Sequence, residues 1–184
     1  MTQADEMHQP QRICLIGAEC TGKSTLAQAL ASHFGGLWVP EHLRVFCDLH
    51  GRTPRSEEQA GIMRAQFEQE EAVFAQARQT GCGHVFCDSA PLLTAIYSDV
   101  YFSDRSLFDC AHVLHARYAL TLVLMPNMPW QPDGLQRESE SARTAVHHRV
   151  QQALRVMHVP HIEVEGLGDA RLQAAILAVE TLSA

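Results

Sequence analysis

The sequence predicts a single α/β domain in which helices cover both faces of a parallel β-sheet. Three observations predict it: apolar segments of strand length recur along the 184 residues, helical segments alternate with them, and the length suits one compact core. With 46% hydrophobic and 19% charged residues, the composition is that of a globular protein. We therefore expect one unit over residues 1–184, with residues 1–11 as a flexible polar tail.

The first half of the chain predicts three strands, each followed by a helix. Residues 12–16 form an apolar strand that stops at Gly17, and apolar side chains three and four positions apart predict a helix over Lys23–Phe34. Glycines mark the ends of these helices because glycine readily adopts the left-handed conformation that follows a helix. The other elements predicted here are a strand at 37–39, a helix at 41–50, a polar helix at about 56–80 and a strand at 84–87.

The second half continues the alternation of helices and strands. A helix begins near Pro91 and extends through Ile96, and a proline-rich stretch at 126–134 separates the fourth strand from a charged helix. The elements predicted in this half are a loop at 97–106, a helix at 107–118, a strand at 120–125, the charged helix at 138–158, a strand at 161–164 and a helix at 169–182. The two halves together predict five strands.

One motif in this order indicates a specific chemistry. The sequence GAECTGKS has the pattern GxxxxGK[ST] and lies between the first strand and the first helix, where this pattern binds phosphate. Its glycines let successive backbone N–H groups point at an anion, and the helix N-terminus adds a favourable dipole. The predicted nucleotide-binding residues are Gly17, Ala18, Glu19, Cys20, Thr21, Gly22, Lys23, Ser24 and Thr25.

Lys23 is the only lysine of the chain, beside thirteen arginines. A compact ammonium group suits the β- and γ-phosphates of a nucleotide, and the Ser24 hydroxyl is a suitable ligand for Mg²⁺. The sequence therefore predicts ATP and Mg²⁺ as cofactors, with Lys23 as a catalytic residue. No guanine-binding element of the Asn/Thr-Lys-x-Asp type occurs in the sequence, which disfavours GTP.

Two carboxylates follow predicted strands, at the edge of the sheet where open α/β folds bind their ligands. Asp88 follows the third strand and is a candidate to hold Mg²⁺, to bind the substrate or to accept a proton from its hydroxyl; capping the next helix is its structural alternative. Glu41 follows the second strand and is a candidate general base that also binds substrate. Its structural alternative is a first-turn glutamate that the helix dipole favours.

Three arginines are candidates to bind charged groups of a substrate or transition state. Arg137 and Arg143 lie near the start of the charged helix, and we predict a lid over about 127–158 that brings both onto the transferred phosphoryl group. A solvated helix face with ion pairs is the alternative. Arg44, one turn beyond Glu41, is a candidate to hold a substrate carboxylate or phosphate, with a plain surface position as its alternative.

Charge and hydrophobicity argue against several other classes of protein. A net charge of −7 disfavours binding to nucleic acid, no apolar run reaches the length of a membrane span, and the polar N-terminal residues lack a signal-peptide core. We therefore expect a cytoplasmic protein without nucleic-acid or membrane partners, as a monomer or a homo-oligomer. The six cysteines include no CxxC pair, which predicts reduced thiols; the cluster from Asp109 to His115 has metal-ligand types but also fits one helix face.

These residues together resemble the nucleoside-kinase branch of the P-loop NTPases, and most closely the ribosylnicotinamide kinase domain of NadR-type proteins and its AAA-type ATPase relatives. The resemblance extends from residue 13 to about residue 165. It is carried by GAECTGKSTL, by WVPEHLR with Glu41 and Arg44, by Gln66, by VFCDSAPLLT around Asp88, and by PWQPDGLQR. The Pro-Trp-x-x-Asp-Gly stretch is the most specific of these, and the resemblance implies a substrate-binding role for Trp130.

The resemblance implies a three-layer P-loop NTPase fold with a five-stranded parallel sheet and a helical lid. It also implies MgATP as phosphate donor and a ribose 5′-hydroxyl as acceptor, with Asp88 or Glu41 beside that hydroxyl and nicotinamide riboside as the first acceptor to test. Because about eleven residues precede the first strand, we expect the adenylyl-transfer half of NadR-type proteins to be absent. The alternative function is a regulatory ATPase or GTPase that acts through a protein partner; a kinase of nucleic-acid ends is disfavoured by the charge.

Overall fold

The strands of the protein form one parallel sheet. A computed structural model describes residues 9–130 and 139–182, and within them the sheet has the order β2-β3-β1-β4-β5, with every neighbouring pair parallel. The strands are β1 (Gln11–Ile16), β2 (Leu37–Val39), β3 (His84–Asp88), β4 (Leu120–Leu124) and β5 (Ile162–Val164). The predicted five-stranded parallel sheet is therefore confirmed.

The helices of the described residues connect successive strands and cover the sheet. They are α1 (Lys23–Phe34), α2 (His42–His50), α3 (Gln59–Thr80), α4 (Pro91–Phe102), α5 (Phe108–His115), α6 (Glu140–Val156) and α7 (Gly168–Glu180), with a 3₁₀ turn at Ser56–Glu58. Helices α1, α2 and α3 end at Gly35, Gly51 and Gly81, each with a positive φ, as the sequence predicts. Across the described ranges, no helix is both long and apolar enough to cross a membrane.

Strand β1 is the centre of the core, and its alternate side chains point to opposite faces of the sheet. Ile13 and Leu15 pack with residues of α1 and α7, whereas Cys14 and Ile16 pack with residues of α4 and α6. All four side chains are fully buried. The fold therefore has three layers, and the central position of β1 brings the loop that follows it to the middle of the carboxyl edge of the sheet.

Two boundaries differ from the sequence prediction. The loop predicted at 97–106 is wrong, because α4 continues to Phe102 and ends only at Ser103, whose φ is 56°. Aromatic and β-branched residues in this segment lower its intrinsic helix propensity. Tyr97 and Val100 pack against the core cluster of α4 and α6, however, and this packing outweighs the low propensity. The predicted helix at 107–118 also ends earlier, at His115.

The predicted lid at about 127–158 is only partly described. Residues 131–138, which include Arg137, lie outside the described residues. Ser139 caps the N-terminus of α6, where its hydroxyl accepts a hydrogen bond from the Ala142 N–H, and the helix buries Val146, Val150 and Leu154 in the core. Much of the predicted lid helix is therefore part of the packed domain, and its closure over a substrate stays a prediction.

Candidate nucleotide-binding site

The predicted phosphate loop is the connection between β1 and α1. Gly22 has a φ of 80°, and Cys20, with a φ of 55°, is a non-glycine residue in the same left-handed region. A Cβ atom at Gly17 would lie 2.9 Å from the carbonyl oxygen of Leu124, too close for any side chain. The glycines of the motif are thus required by backbone conformation at one end of the loop and by packing at the other.

Lys23 is buried within this loop, at the first residue of α1. Its Nζ donates hydrogen bonds to the carbonyl oxygens of Gly17 and Ala18, both at 3.1 Å, while the Thr21 hydroxyl donates to the Ala18 carbonyl at 2.8 Å. A buried ammonium beside a helix N-terminus is a strong attractor for an anion, because the helix dipole and the charge act in the same sense. The loop is therefore built to bind phosphate.

A cavity of about 320 Å³ opens beside the loop. The loop and the start of α1 form one of its walls, and the residues around Glu41 and Tyr97 form the rest. Its lining residues are Glu19, Cys20, Thr21, Gly22, Lys23, Ser24, Thr25, Glu41, Arg44 and Tyr97. The structure thus brings the predicted residues Lys23, Ser24, Glu41 and Arg44 together, although they come from the starts of two different helices, α1 and α2.

Glu41 precedes the first residue of α2 and is 8% exposed. Burial raises the pKa of its carboxyl group, the positive charges of Lys23 and Arg44 lower it, and the negative charges of Asp88 and Glu19 raise it further. A carboxylate with a raised pKa that faces a cavity is suited to accept a proton from a substrate hydroxyl.

Asp88 is the last residue of β3 and is 1% exposed. It pairs in register with Leu15 of β1, which places it close to the start of the phosphate loop. Its Oδ1 atom has no hydrogen-bond partner among the described residues. A buried, unpaired carboxylate oxygen is costly unless a ligand satisfies it, so Asp88 fits a Mg²⁺ ion that accompanies a nucleotide, directly or through water.

Tyr97 is the cavity residue that the sequence prediction missed, because residues 97–106 were predicted as a loop. It lies on α4, four residues after Leu93, and that helical spacing was the available signal. Burial, followed by the nearby charge of Glu41, raises the pKa of the Tyr97 hydroxyl well above its usual value. The side chain therefore stays neutral and offers both an aromatic ring and a hydroxyl to a ligand.

Arg143 and Trp130 are not among the residues that line the cavity. The Arg143 guanidinium is buried and donates hydrogen bonds to the carbonyl oxygens of Pro126 and Met128, the latter at 2.8 Å. It thereby holds the loop that follows β4. Trp130 is half-buried at the end of this loop, next to the segment outside the described residues. The catalytic role predicted for Arg143 and the substrate-binding role predicted for Trp130 stay predictions.

Arg171 on α7 is a second residue that the sequence prediction missed. It is 4% exposed, and its guanidinium donates to the carbonyl oxygens of Thr21 and Met125 and to the Asn127 side chain. Burial lowers the pKa of Arg171, and these acceptors compensate for the cost of burying the charge. Arg171 therefore joins the phosphate loop to the end of β4.

The segment from Asp109 to His115 was a candidate metal site, with a plain helix face as its alternative. Within residues 9–130 and 139–182, no group of three or more His, Cys, Asp or Glu side chains could hold a metal ion. The His115 ring is buried and hydrogen-bonds the Thr121 hydroxyl at 2.9 Å, and burial lowers its pKa to about 4. His115 is thus a neutral core residue, as expected when this segment is a helix that packs one face against the core.

A strand, a phosphate loop and a helix at the carboxyl edge of a parallel sheet define the P-loop nucleotide-binding class of α/β proteins. The sequence model of a protein family described as an AAA domain matches residues 12–171 of the chain. The chain therefore belongs to this AAA-domain family. A comparison with curated proteins returned no match.

Solved structures with the same fold include NadR proteins and nucleoside kinases. A NadR protein in complex with NR has a TM-score of 0.79 and 22% identity, and the match covers 96% of this chain and 52% of that one. A NadR protein in complex with NAD and AMP-PNP has a TM-score of 0.76 and 19% identity, and the match covers 96% of this chain and 50% of that one. The deoxyadenosine kinase of M. mycoides has a TM-score of 0.63 and 12% identity, and the match covers 95% of this chain and 100% of that one.

These likenesses confirm the predicted P-loop kinase-like fold and its resemblance to NadR-type proteins. At identities of 22% and below they show the fold alone. The chain spans about half the length of the NadR proteins that it matches.

Proposed function

We propose that this protein is a MgATP-dependent kinase that phosphorylates the 5′-hydroxyl of a nucleoside, with nicotinamide riboside as the first acceptor to test. One observation carries the proposal: the same cavity is lined by Lys23 and Ser24, the predicted ligands of the phosphates and of Mg²⁺, and by the buried carboxyl group of Glu41. Binding and hydrolysing ATP requires the loop, but transferring a phosphoryl group also requires a group that orients a second substrate beside it.

The proposed reaction is an in-line transfer. Lys23 and the amides of the loop bind the β- and γ-phosphates, while Ser24 and Asp88 would hold Mg²⁺, which neutralises phosphate charge when bound. Glu41 orients the acceptor hydroxyl and accepts its proton. The new bond forms between the acceptor oxygen and the γ-phosphorus, the bond from that phosphorus to the β–γ bridging oxygen breaks, and ADP leaves.

The two carboxylates are proposed to have different roles because they differ in position. Glu41 lines the cavity, whereas Asp88, at the end of β3, is not among its lining residues and has one oxygen without a partner in the described part of the chain. Glu41 is therefore assigned as the general base and Asp88 as the metal-binding residue. Arg143 contacts the loop after β4, and Arg137 lies outside the described residues, so an approach of either arginine to the transferred group stays a prediction.

The charge of the cavity supports a cationic acceptor. Glu19 and Glu41 line it together with Lys23 and Arg44, and the phosphates of ATP would neutralise Lys23. The remaining carboxylates favour a positively charged base, and the Tyr97 ring offers a face for cation–π contact. Nicotinamide riboside carries its positive charge on the base, and a NadR protein of the same fold forms a complex with NR.

The test is ADP formation from MgATP with single acceptors: nicotinamide riboside, its uncharged reduced form, and the common ribo- and deoxyribonucleosides. We expect turnover to rise at least about tenfold with nicotinamide riboside and less with its reduced form. A rise with another nucleoside only would support a nucleoside kinase and refute the cationic acceptor. Turnover that no acceptor stimulates would refute the kinase, and the regulatory ATPase would then be the function to test.

A further inference from the structure

The backbone around Glu41 is hydrogen-bonded on both sides by amide side chains of α3. The His42 N–H donates to the Oε1 atom of Gln66 at 2.8 Å, and the Nε2 atom of Gln69 donates to the carbonyl oxygen of Pro40 at 3.2 Å. These are the two peptide groups that flank Glu41. Both amides are neutral, so they fix the backbone of Glu41 without adding a charge beside its carboxylate.

The orientation of the Gln66 amide is set by Glu70, one turn further along α3. Gln66 Nε2 donates to Glu70 Oε1 at 3.0 Å, and both side chains are buried. The His42 N–H can only donate, so Gln66 presents its oxygen to His42 and its NH₂ group to the accepting oxygen of Glu70. The hydrogen-bond polarity at Glu70 thus decides whether the first N–H of α2 has an acceptor.

Glu70 itself is held by two further donors. Its Oε2 atom accepts from the Tyr118 hydroxyl at 2.7 Å and from the Arg117 guanidinium at 3.4 Å, and its side chain is fully buried. A buried carboxylate is costly, and replacing such a group with a packed apolar side chain is often neutral or stabilising. A stability role alone therefore does not account for Glu70, whereas a role in orienting Gln66 does.

We propose that Gln66 and Gln69 are positioning residues for Glu41, and that Glu70 acts through Gln66 to hold that position. The inference rests on the proposed function, since it assigns these side chains to the acceptor side of the phosphoryl transfer. Small displacements of a reacting group reduce rates strongly, by about 100-fold for 1 Å, so loss of these bonds should lower acceptor turnover without affecting nucleotide binding.

A reciprocal exchange tests the polarity directly. In Glu70→Gln the oxygen of the new amide would accept from Tyr118 and Arg117, and its NH₂ group would donate to Gln66. The Gln66 amide would then have to turn over, and its NH₂ group would face the His42 N–H, so that two donors meet. In Gln66→Glu two carboxylates would lie side by side. In the double variant Gln66→Glu/Glu70→Gln, every donor again faces an acceptor.

We expect each single variant to lower kcat/KM for the acceptor about 10-fold or more, while KM for ATP changes less than about twofold. The double variant should exceed both single variants because its hydrogen bonds are matched again, but its carboxylate at position 66 adds a negative charge near Glu41, so recovery should be partial. Gln69→Leu should raise the acceptor KM severalfold and keeps the test valid if Glu70→Gln does not fold. Gln79→Glu, which adds a carboxylate at an exposed site on α3, is the matched control and should change neither constant.

Hydrogen exchange at the His42 amide separates this inference from the proposed function, because it needs no acceptor. Each single substitution, Gln66→Glu or Glu70→Gln, should increase the rate of hydrogen exchange at the His42 amide. The double variant should lower that rate again, and the rates of the β1 amides should stay unchanged. Unchanged His42 exchange in both single variants, or a double variant no better than the worse single one, overturns the positioning role. A wild type that no acceptor stimulates overturns the proposed function instead.

Discussion

The two sides of the cavity are held in place by different chemistry. On the side of Glu41, neutral amides of Gln66 and Gln69 bond the adjacent backbone. On the side of the phosphate loop, the charged guanidinium of Arg171 bonds carbonyl groups of the loop and of the end of β4. Both arrangements fix backbone, but only the second one adds positive charge.

This difference matches what each side is proposed to bind. A proton acceptor works best with a pKa near the working pH, and a cation bonded beside Glu41 would lower its pKa and weaken it as a base. An anion site gains from every fixed positive charge in its surroundings. The fold therefore uses neutral hydrogen bonds where proton affinity matters and charged ones where phosphate binds.

The largest expected effect is on the phosphate side. Lys23→Met removes the buried ammonium of the loop, and we expect turnover to fall by about 100- to 1,000-fold because one charged donor to the transferred group is lost. The measurement is steady-state phosphoryl transfer, with thermal unfolding as the check that the fold is kept. Turnover near the wild-type rate would show that the reaction takes place elsewhere.

On the acceptor side, Glu41→Gln keeps the shape of the side chain and removes the base. We expect kcat to fall about 100-fold, with KM for ATP nearly unchanged. Because burial raises the pKa of Glu41, wild-type kcat should fall as the pH is lowered, starting above the usual glutamate range, since the protonated carboxyl cannot accept a proton. If Glu41→Gln kept the wild-type kcat and the same fall of kcat at low pH, Glu41 would be excluded as the base.

A smaller effect is expected from Arg171, which holds the loop without lining the cavity. Arg171→Met should raise KM for ATP about 10-fold, as loss of one set of charge-assisted hydrogen bonds predicts, and leave KM for the acceptor unchanged. Arg171→Lys keeps the charge but not the paired donors of the guanidinium group. Its KM for ATP should lie between those of Arg171→Met and the wild type. An equal rise in both KM values would contradict the separation of the two sides.

What could be predicted from sequence depended on whether the signal was local. The loop of residues 17–25 was predictable because its chemistry lies in consecutive residues, and Glu41 was predicted to face it because it follows an apolar strand. The bond from Arg171 to Thr21 spans 150 positions of the chain, and no local pattern indicates it. Gln66 entered only through a resemblance, since its contact with His42 depends on how α3 packs beside α2.

The boundaries of α4 show the same limit from another direction. Tyr97 was predicted to lie in a loop, yet packing against the core extends the helix and brings the ring to the cavity. Arg143 was predicted to face the phosphates because its segment follows a proline-rich loop and opens a charged helix, whereas its guanidinium donates to carbonyl oxygens of the loop after β4.

The most direct test of the account is transfer of the labelled γ-phosphate of MgATP to nicotinamide riboside, with the 5′-deoxy form of the same nucleoside as control. The account predicts a labelled monophosphate from the first acceptor, formed in step with ADP, and none from the second. It predicts that this product forms at least about 100-fold more slowly in Lys23→Met and in Glu41→Gln. ADP and free phosphate formed at the same rate with either compound, and no labelled nucleotide, would contradict it.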